Sequence, residues 1–245
     1  MLTGATSDVA VPCRGVLFDA DDTLFDYQAA ERHALLALAR EFSLPGLPAE
    51  VLAAYRRHNS ALWVALERGE IDAERLPVER FRRLLGELQA DPAAARELSE
   101  RYLILLAQER GLLPGALAAV QALAGLVRLG VVTNGLSAVQ RPRIAGSSLA
   151  SWLDLVLVSQ EEGVAKPDPE LLLRALRRLG VSPREALFVG DGVSSDMACA
   201  ARAGVDFCWF NPHRSPVPPG SAPALVISSM TELPPLLEDR LSSRH

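Results

Sequence analysis

The sequence predicts an α/β fold in which a parallel sheet is interrupted by an all-helical insert. From residue 112 onward, short apolar runs alternate with segments of helical periodicity, which is typical of β-α-β units and a parallel sheet. Residues 27–111 instead show apolar positions three and four apart throughout, the pattern of helices. Because one strand precedes this helical block, we expect an α/β core domain of residues 1–26 and 112–245. Residues 27–111 are expected to form a helical cap domain.

The first elements follow from apolar runs and chain breaks. Residues 15–19 form a short apolar run that ends in an acid, as expected of a buried strand. Pro and Gly residues then divide the helical block into about four helices, with breaks at Pro45-Gly46, Gly69 and Asp91-Pro92. A further helix is expected over about 116–127.

Strands and helices then alternate to the end of the chain. Asp168 and Pro169 have the residue types of an N-cap and a first helical position, and Gly180 that of a residue just past a helix end. Helices are also expected near 137–146 and up to Gly204. The remaining strands are expected at 130–133, 153–159, 186–190, 205–210 and 225–227.

Composition excludes several classes of function. The net charge of −5 and the absence of a basic run give no footprint for nucleic acid. No apolar run reaches the roughly 18 residues that span a bilayer, and the N-terminus shows no secretory signal. The cysteines are three and widely spaced, which favours a reducing cytoplasm over a disulfide framework. We expect a cytoplasmic protein with no nucleic-acid or membrane partner and no obligate protein partner.

Polar residues follow the expected strands at their carboxyl ends, where open parallel sheets bind ligands. They are Asp19, Asp21, Asp22, Thr23, Thr133, Asn134, Lys166, Asp191 and Asp196. Clustered carboxylates repel one another unless a cation lies between them, and ligands that are all oxygen favour Mg²⁺. A carboxylate, a metal ion and an ammonium around one small space predict phosphoryl transfer.

Lys166 is the only lysine among 25 basic residues. This uniqueness has two interpretations: chance, or a site that needs a compact ammonium and rejects a planar guanidinium.

Four motifs resemble, in order, those of the haloacid-dehalogenase-like (HAD) hydrolase superfamily. They are Asp19-Ala20-Asp21-Asp22-Thr23, Thr133-Asn134-Gly135, Lys166-Pro167 and Gly190 to Asp196. The resemblance covers about residues 14–238, and the insert is similar to the helical cap of the family's first subgroup. It implies a Rossmann-like parallel-sheet core.

The resemblance implies the chemistry of three residues. Asp19 would attack phosphorus and become a phospho-aspartate. Asp21 would protonate the leaving oxygen and then deprotonate the hydrolytic water. Lys166 would neutralise Asp19 and the phosphoryl group. Asp22 is interpreted as a turn residue.

The resemblance also implies the binding groups. The Thr133 hydroxyl and the Asn134 amide would hold phosphate oxygens, together with Lys166. Asp196 would orient a metal-bound water or Lys166. The Mg²⁺ ligand set would comprise Asp19, Asp21 through its backbone carbonyl, Asp191 and Asp196.

Substrate class follows from Asp21 and from a closer resemblance. Dehalogenases of the superfamily need no acid two residues after the nucleophile, so Asp21 favours phosphate esters. The helical insert has no lysine, which excludes Schiff-base chemistry there. Segments around Asp22, Asn59–Trp63, Thr133 and Cys208–Asn211 resemble bacterial HAD nucleotidases that prefer pyrimidine 5′-nucleotides. They imply hydrolysis of UMP, dUMP or dTMP.

The helical insert is expected to carry specificity, because the core motifs bind only phosphate. Trp63 and Phe25 would stack on a base and Asn59 would bond its edge; packing between cap helices explains Trp63 equally well. Alternative functions are a phosphatase of a sugar phosphate or phosphoglycolate, a phosphosugar mutase, and a catalytically idle binding protein.

Overall fold

The computed structural model describes residues 11–72 and 74–241. These residues divide into two compact units. The first unit comprises the described residues up to Asp26, Leu112–Gly135 and the described residues from Ser148. The second comprises the described parts of Tyr27–Gly111 together with Leu136–Ser147.

The first unit contains a six-stranded parallel sheet with the order β3-β2-β1-β4-β5-β6. Its strands are β1 Gly15–Phe18, β2 Arg128–Thr133, β3 Leu155–Val158, β4 Ala186–Gly190, β5 Asp206–Phe210 and β6 Leu225–Ile227. Every strand expected from the sequence is present. β1 and β4 are buried along their whole length, as parallel strands covered on both faces require.

The described residues form ten α-helices. They are α1 Tyr27–Glu41, α2 Pro48–Glu67, α3 Leu76–Glu87, α4 Ala95–Gln108, α5 Ala116–Leu123, α6 Ser137–Ala145, α7 Ser159–Glu162, α8 Pro169–Leu179, α9 Ala198–Ala203 and α10 Leu233–Leu241. None of the helices in the described ranges is both long and apolar enough to cross a bilayer. Helix α5 ends before the expected residue 127, because Ala124 takes an extended conformation and Gly125 then turns the chain with a φ of +76°.

Helix α8 shows how capping and amphipathicity position an element. Asp168 Oδ1 accepts from the Glu170 N–H at 2.9 Å, and Gly180 ends the helix with a φ of +67°. The predicted caps are therefore confirmed. The apolar face of α8, including Leu172 and Leu176, packs into one core with Leu17 of β1 and residues of β4 and β5.

The second unit is a helical bundle built from α1–α4 and α6. Its core contains Tyr55, Phe81 and Tyr102, whose ring centroids lie 5.3–5.5 Å apart. Helix α6 was expected in the α/β core but groups with this unit. The physical reason is that α6 packs along α4, and its Val139 joins the apolar core of the bundle.

Candidate active site

Three strands deliver polar residues to one edge of the sheet. β1 lies between β2 and β4, so the residues that follow these strands are neighbours. Asp19 comes directly after β1, and its N–H donates to the Val189 carbonyl of β4 at 2.9 Å. Thr133 is the buried last residue of β2, and Asp191 follows β4. The sequence-predicted cluster therefore forms at the carboxyl edge.

Lys166 lies at the centre of this cluster. Its Nζ is 2.5 Å from Asp19 Oδ1 and 2.7 Å from Asp196 Oδ1, and it donates to the Val132 carbonyl at 3.1 Å. An ammonium has three hydrogens, so these three oxygens account for all of them. The side chain is only 2% exposed. Burial by itself lowers the pKa of Lys166, but the Asp19 and Asp196 carboxylates outweigh it and raise that pKa above its ordinary value.

Asp196 is held in a π-helical turn, Val193–Met197, and both of its oxygens have partners. Oδ1 meets Lys166, and Oδ2 accepts from the Gly192 N–H at 3.0 Å. A Cβ at Gly190 would collide with this carboxylate, which explains the glycine at the end of β4. Asp196 is thus placed to fix Lys166.

Asn134 makes two hydrogen bonds with the backbone of Lys166. Its Nδ2 donates to the Lys166 carbonyl at 2.8 Å, and its Oδ1 accepts from the Lys166 N–H at 2.9 Å. These two bonds join the end of β2 to the lysine loop. A phosphate contact by the Asn134 amide remains a prediction.

Asp191 is held at its side chain and at its backbone. The Thr23 hydroxyl donates to Oδ1 at 3.3 Å, and the Trp209 indole N–H donates to the backbone carbonyl at 3.0 Å. Burial, then the nearby Asp196 and Asp22 carboxylates, raise the pKa of Asp191 to about 7. A neighbouring positive charge would favour the ionised form of this carboxylate.

The cluster fits a divalent cation. Carboxylate oxygens of Asp19, Asp191 and Asp196 lie within 4.8 Å of one another, and the Lys166 ammonium pairs with two of the three, Asp19 and Asp196. Burial raises the pKa of Asp19 well above its ordinary value; Lys166 opposes the rise, and Asp196 and Asp191 add to it. A cation would reverse these shifts by favouring the ionised carboxylates. Hard divalent ions such as Mg²⁺ take oxygen ligands, and these carboxylates supply them.

The turn after β1 places Asp21 and Asp22. The N–H groups of Leu24 and Phe25 both donate to the Ala20 carbonyl, and the Asp22 N–H donates to the Phe25 carbonyl. Asp22 takes a φ of +56°, a conformation that Asp tolerates better than most residues. Asp22 is thus a turn residue, as predicted, and Asp21 lies half-buried beside Asp19 in the chain.

Comparison with known proteins decides the family. The family model described as haloacid dehalogenase-like hydrolase matches residues 13–204. The chain belongs to the haloacid dehalogenase-like hydrolase family.

Two curated relatives and one solved structure are closely similar to this hydrolase. It is 34% identical to the pyrimidine 5′-nucleotidase YjjG of Escherichia coli, over 91% of this chain and 96% of the relative. It is 33% identical to the pyrimidine 5′-nucleotidase PynA of Streptococcus pneumoniae, over 81% and 84%. The structure of the putative HAD-hydrolase YfnB of Bacillus subtilis, bound to magnesium, matches with a TM-score of 0.85 and 32% identity, covering 93% of this chain and 99% of that one. The predicted family and fold class are confirmed.

The predicted specificity residues of this HAD-like hydrolase have different environments. Phe25 is completely buried, and base stacking by its ring remains a prediction. Asn59 and Trp63 both lie on α2, where Asn59 Oδ1 accepts from Arg80 Nη1 at 3.2 Å and Trp63 is half-buried. Substrate contacts by Asn59 and Trp63 remain predictions.

Arg80 is a functional candidate that the sequence reasoning missed. It is 2% exposed, and its guanidinium carbon lies 4.9 Å from the ring centroid of Tyr102, with Tyr55 and Phe81 also close. The available signal was helical spacing: Arg80 falls four residues after Leu76, on the apolar face of α3. Arg80 is therefore a buried cation, and its hydrogen bond holds the Asn59 side chain in place.

Proposed function

We propose that this hydrolase is a Mg²⁺-dependent phosphomonoesterase that forms a phospho-aspartate on Asp19. We further propose that its substrates are pyrimidine nucleoside 5′-monophosphates. The observation that carries the phosphatase proposal is the buried Lys166 ammonium on Asp19 Oδ1, with Asp21 two residues further along the chain. A nucleophile paired with a fixed cation, with a second acid two residues further along the chain, matches what ester cleavage with a poor leaving group requires.

In the first step, Asp19 attacks phosphorus and a new Asp19–phosphorus bond forms. The ester bond between phosphorus and the nucleoside O5′ breaks, and Asp21 gives its proton to that oxygen. Lys166 stays charged because its pKa is raised, and it neutralises negative charge on Asp19 and the phosphoryl oxygens. The Thr133 hydroxyl and the Asn134 backbone N–H hold phosphoryl oxygens.

In the second step, water attacks the phosphorus of the phospho-aspartate. Asp21, now ionised, takes a proton from that water, the Asp19–phosphorus bond breaks, and inorganic phosphate leaves. The same residue thus acts as acid and then as base. Asp196 keeps Lys166 in place through both steps.

Residues that would hold Mg²⁺ are Asp19, Asp191 and the Asp21 backbone carbonyl. Asp196 was also predicted as a ligand, but its two oxygens are taken by Lys166 and Gly192, so we assign it to positioning Lys166. When bound, Mg²⁺ neutralises the acidic cluster and the charge of the transferred phosphoryl group.

The nucleotide proposal rests on similarity and on the helical unit. YjjG and PynA, to which this chain is similar along most of its length, are pyrimidine 5′-nucleotidases. Trp63 would supply a stacking surface for the base, and Asn59 a polar contact. We also propose a cytoplasmic location, which the three free, buried cysteines support.

A phosphate-release assay tests this proposal. The panel comprises UMP, dUMP, dTMP, CMP, purine 5′-monophosphates, ribose 5-phosphate, phosphoglycolate and phosphoserine, each with Mg²⁺ and with EDTA. We expect the highest kcat/KM for pyrimidine monophosphates and no release with EDTA. Better rates on a sugar phosphate or phosphoglycolate would exclude the nucleotide assignment and keep the phosphatase. An isomerised sugar phosphate without free phosphate would show a mutase, and no reaction on any ester would contradict both proposals.

A further inference from the structure

Trp209 lies on β5, directly beside the end of β4. In the parallel register, Trp209 pairs with Gly190, the last residue of β4. The side chain is 5% exposed and packs in the apolar core that also holds α8 and α9. Its indole ring is therefore fixed by packing, and its single N–H has one defined direction.

That N–H donates to the backbone carbonyl of Asp191 at 3.0 Å. The indole N–H is the only hydrogen-bonding group of a tryptophan side chain, so Trp209 uses its whole polar capacity on this peptide. The bond is partly buried, and losing it would remove a defined donor from that carbonyl. The bond links β5, in the core of the sheet, to Asp191, the first residue after β4.

The second anchor of Asp191 is weaker. Thr23 reaches its Oδ1 at 3.3 Å, which is long for a hydroxyl donor. The bond from Trp209 is therefore the shorter of these two contacts, and it holds the Asp191 peptide. Groups that orient metal ligands without touching the ion affect metal affinity strongly.

We propose that Trp209 is a positioning residue for the divalent-cation site. By holding the Asp191 peptide, it keeps the Asp191 carboxylate close to the Asp19 carboxylate, where both can bind one ion. Trp209 contacts neither the substrate nor the ion. The inference rests on the proposed function, since it assumes that Asp191 is a Mg²⁺ ligand.

The test removes the N–H and keeps the ring. In Trp209→Phe, Mg²⁺ binding to the purified protein is measured by calorimetry, without substrate. We expect the Kd for Mg²⁺ to rise about tenfold, the size of effect seen when groups behind metal ligands are removed. At saturating Mg²⁺, kcat should stay within about twofold of the original value, because the catalytic groups are intact.

Trp152→Phe is the matched control. Trp152 lies in the same unit and is 39% exposed, so the same substitution there should leave the Kd for Mg²⁺ unchanged. An unchanged Kd in Trp209→Phe overturns the inference, and so does an equal rise in both variants.

A second measurement keeps the inference testable should Trp209→Phe fail to fold. The chain has three tryptophans, so the double variant Trp63→Phe, Trp152→Phe retains Trp209 as the only one. We expect its emission to change during a Mg²⁺ titration, with a midpoint equal to the calorimetric Kd. Emission that stays constant to saturation overturns the coupling between Trp209 and the site.

The two proposals fail in different ways. Mg²⁺ binding that weakens in Trp209→Phe, in a protein that hydrolyses no ester, would refute the proposed function and support the inference. Ester hydrolysis together with a Mg²⁺ affinity that is unchanged in Trp209→Phe would support the proposed function and refute the inference. An original protein that binds no Mg²⁺ would refute both.

Discussion

Lys166 uses all three of its ammonium hydrogens on oxygens that point at one atom. Two of these oxygens belong to Asp19 and Asp196, and the third is the Val132 carbonyl. A planar guanidinium is larger and directs its donors differently, so it cannot satisfy the same three acceptors in a space that is almost closed. The geometry of the site thus explains why a lysine, the only one in the chain, occupies position 166.

Lys166→Arg tests this reason directly. We expect kcat to fall at least about 100-fold, as when a fixed charge-stabilising donor is lost, because the guanidinium displaces Asp19. The measurement is steady-state phosphate release, with circular dichroism to confirm folding. Arg177→Lys, an exchange of the same two residue types on the exposed side of α8, is the control and should leave activity unchanged. Near-normal activity in Lys166→Arg would mean that the single lysine is a chance of composition.

Asp191 and Asp196 are both acids of the same loop, but their contacts assign them different tasks. Asp196→Asn keeps the shape and removes the charge beside Lys166. We expect kcat to fall about 10- to 100-fold, with the Kd for Mg²⁺ nearly unchanged. Asp191→Asn should instead raise that Kd about 10- to 100-fold. The Kd for Mg²⁺ is measured by calorimetry and kcat by steady-state kinetics on both variants. Equal losses of Mg²⁺ affinity would show that Asp196 is itself a ligand.

At the scale of elements, α2 is the part of the helical unit that carries the predicted substrate contacts. Asn59 and Trp63 are four residues apart, so they share one face of the helix. Arg80 of α3 donates to Asn59, and it can only donate, so the carboxamide oxygen of Asn59 faces α3. This contact fixes the orientation of the amide.

Trp63→Ala tests the stacking role of α2. Loss of a base-stacking surface is worth about 1–3 kcal/mol, so kcat/KM for UMP should fall about 5- to 150-fold. The value for ribose 5-phosphate, which has no base, should stay unchanged. Val64→Ala, at the neighbouring position that is 44% exposed, is the control. An equal loss on both substrates would show that Trp63 only packs the helices.

At the scale of the whole molecule, the strands and the polar residues that follow them were predictable from the sequence. Parallel strands are short apolar runs, and their carboxyl ends are marked by the acids, the hydroxyl and the lysine that follow them. Local patterns also gave the caps of α8 and the turn residue Asp22. Each of these features depends on residues that are close together in the chain.

The features that sequence reasoning missed depend on residues far apart in the chain. Asn134 bonds a backbone 32 residues away, and Trp209 bonds one 18 residues away. The grouping of α6 with the bundle depends on packing against α4, which the periodicity of α6 alone does not encode. Arg80 is the exception, because the spacing that places it on the buried face of α3 is local.

The central claim is that the phosphoryl group passes through Asp19. The most direct measurement is mass spectrometry of the enzyme after rapid acid quench during turnover of UMP with Mg²⁺. We predict a phosphorylated peptide whose modification lies on Asp19, is removed by hydroxylamine, and is absent from Asp19→Asn. Full turnover without a phosphorylated Asp19 in quenched samples, or a phosphoryl group on another residue, would contradict the account.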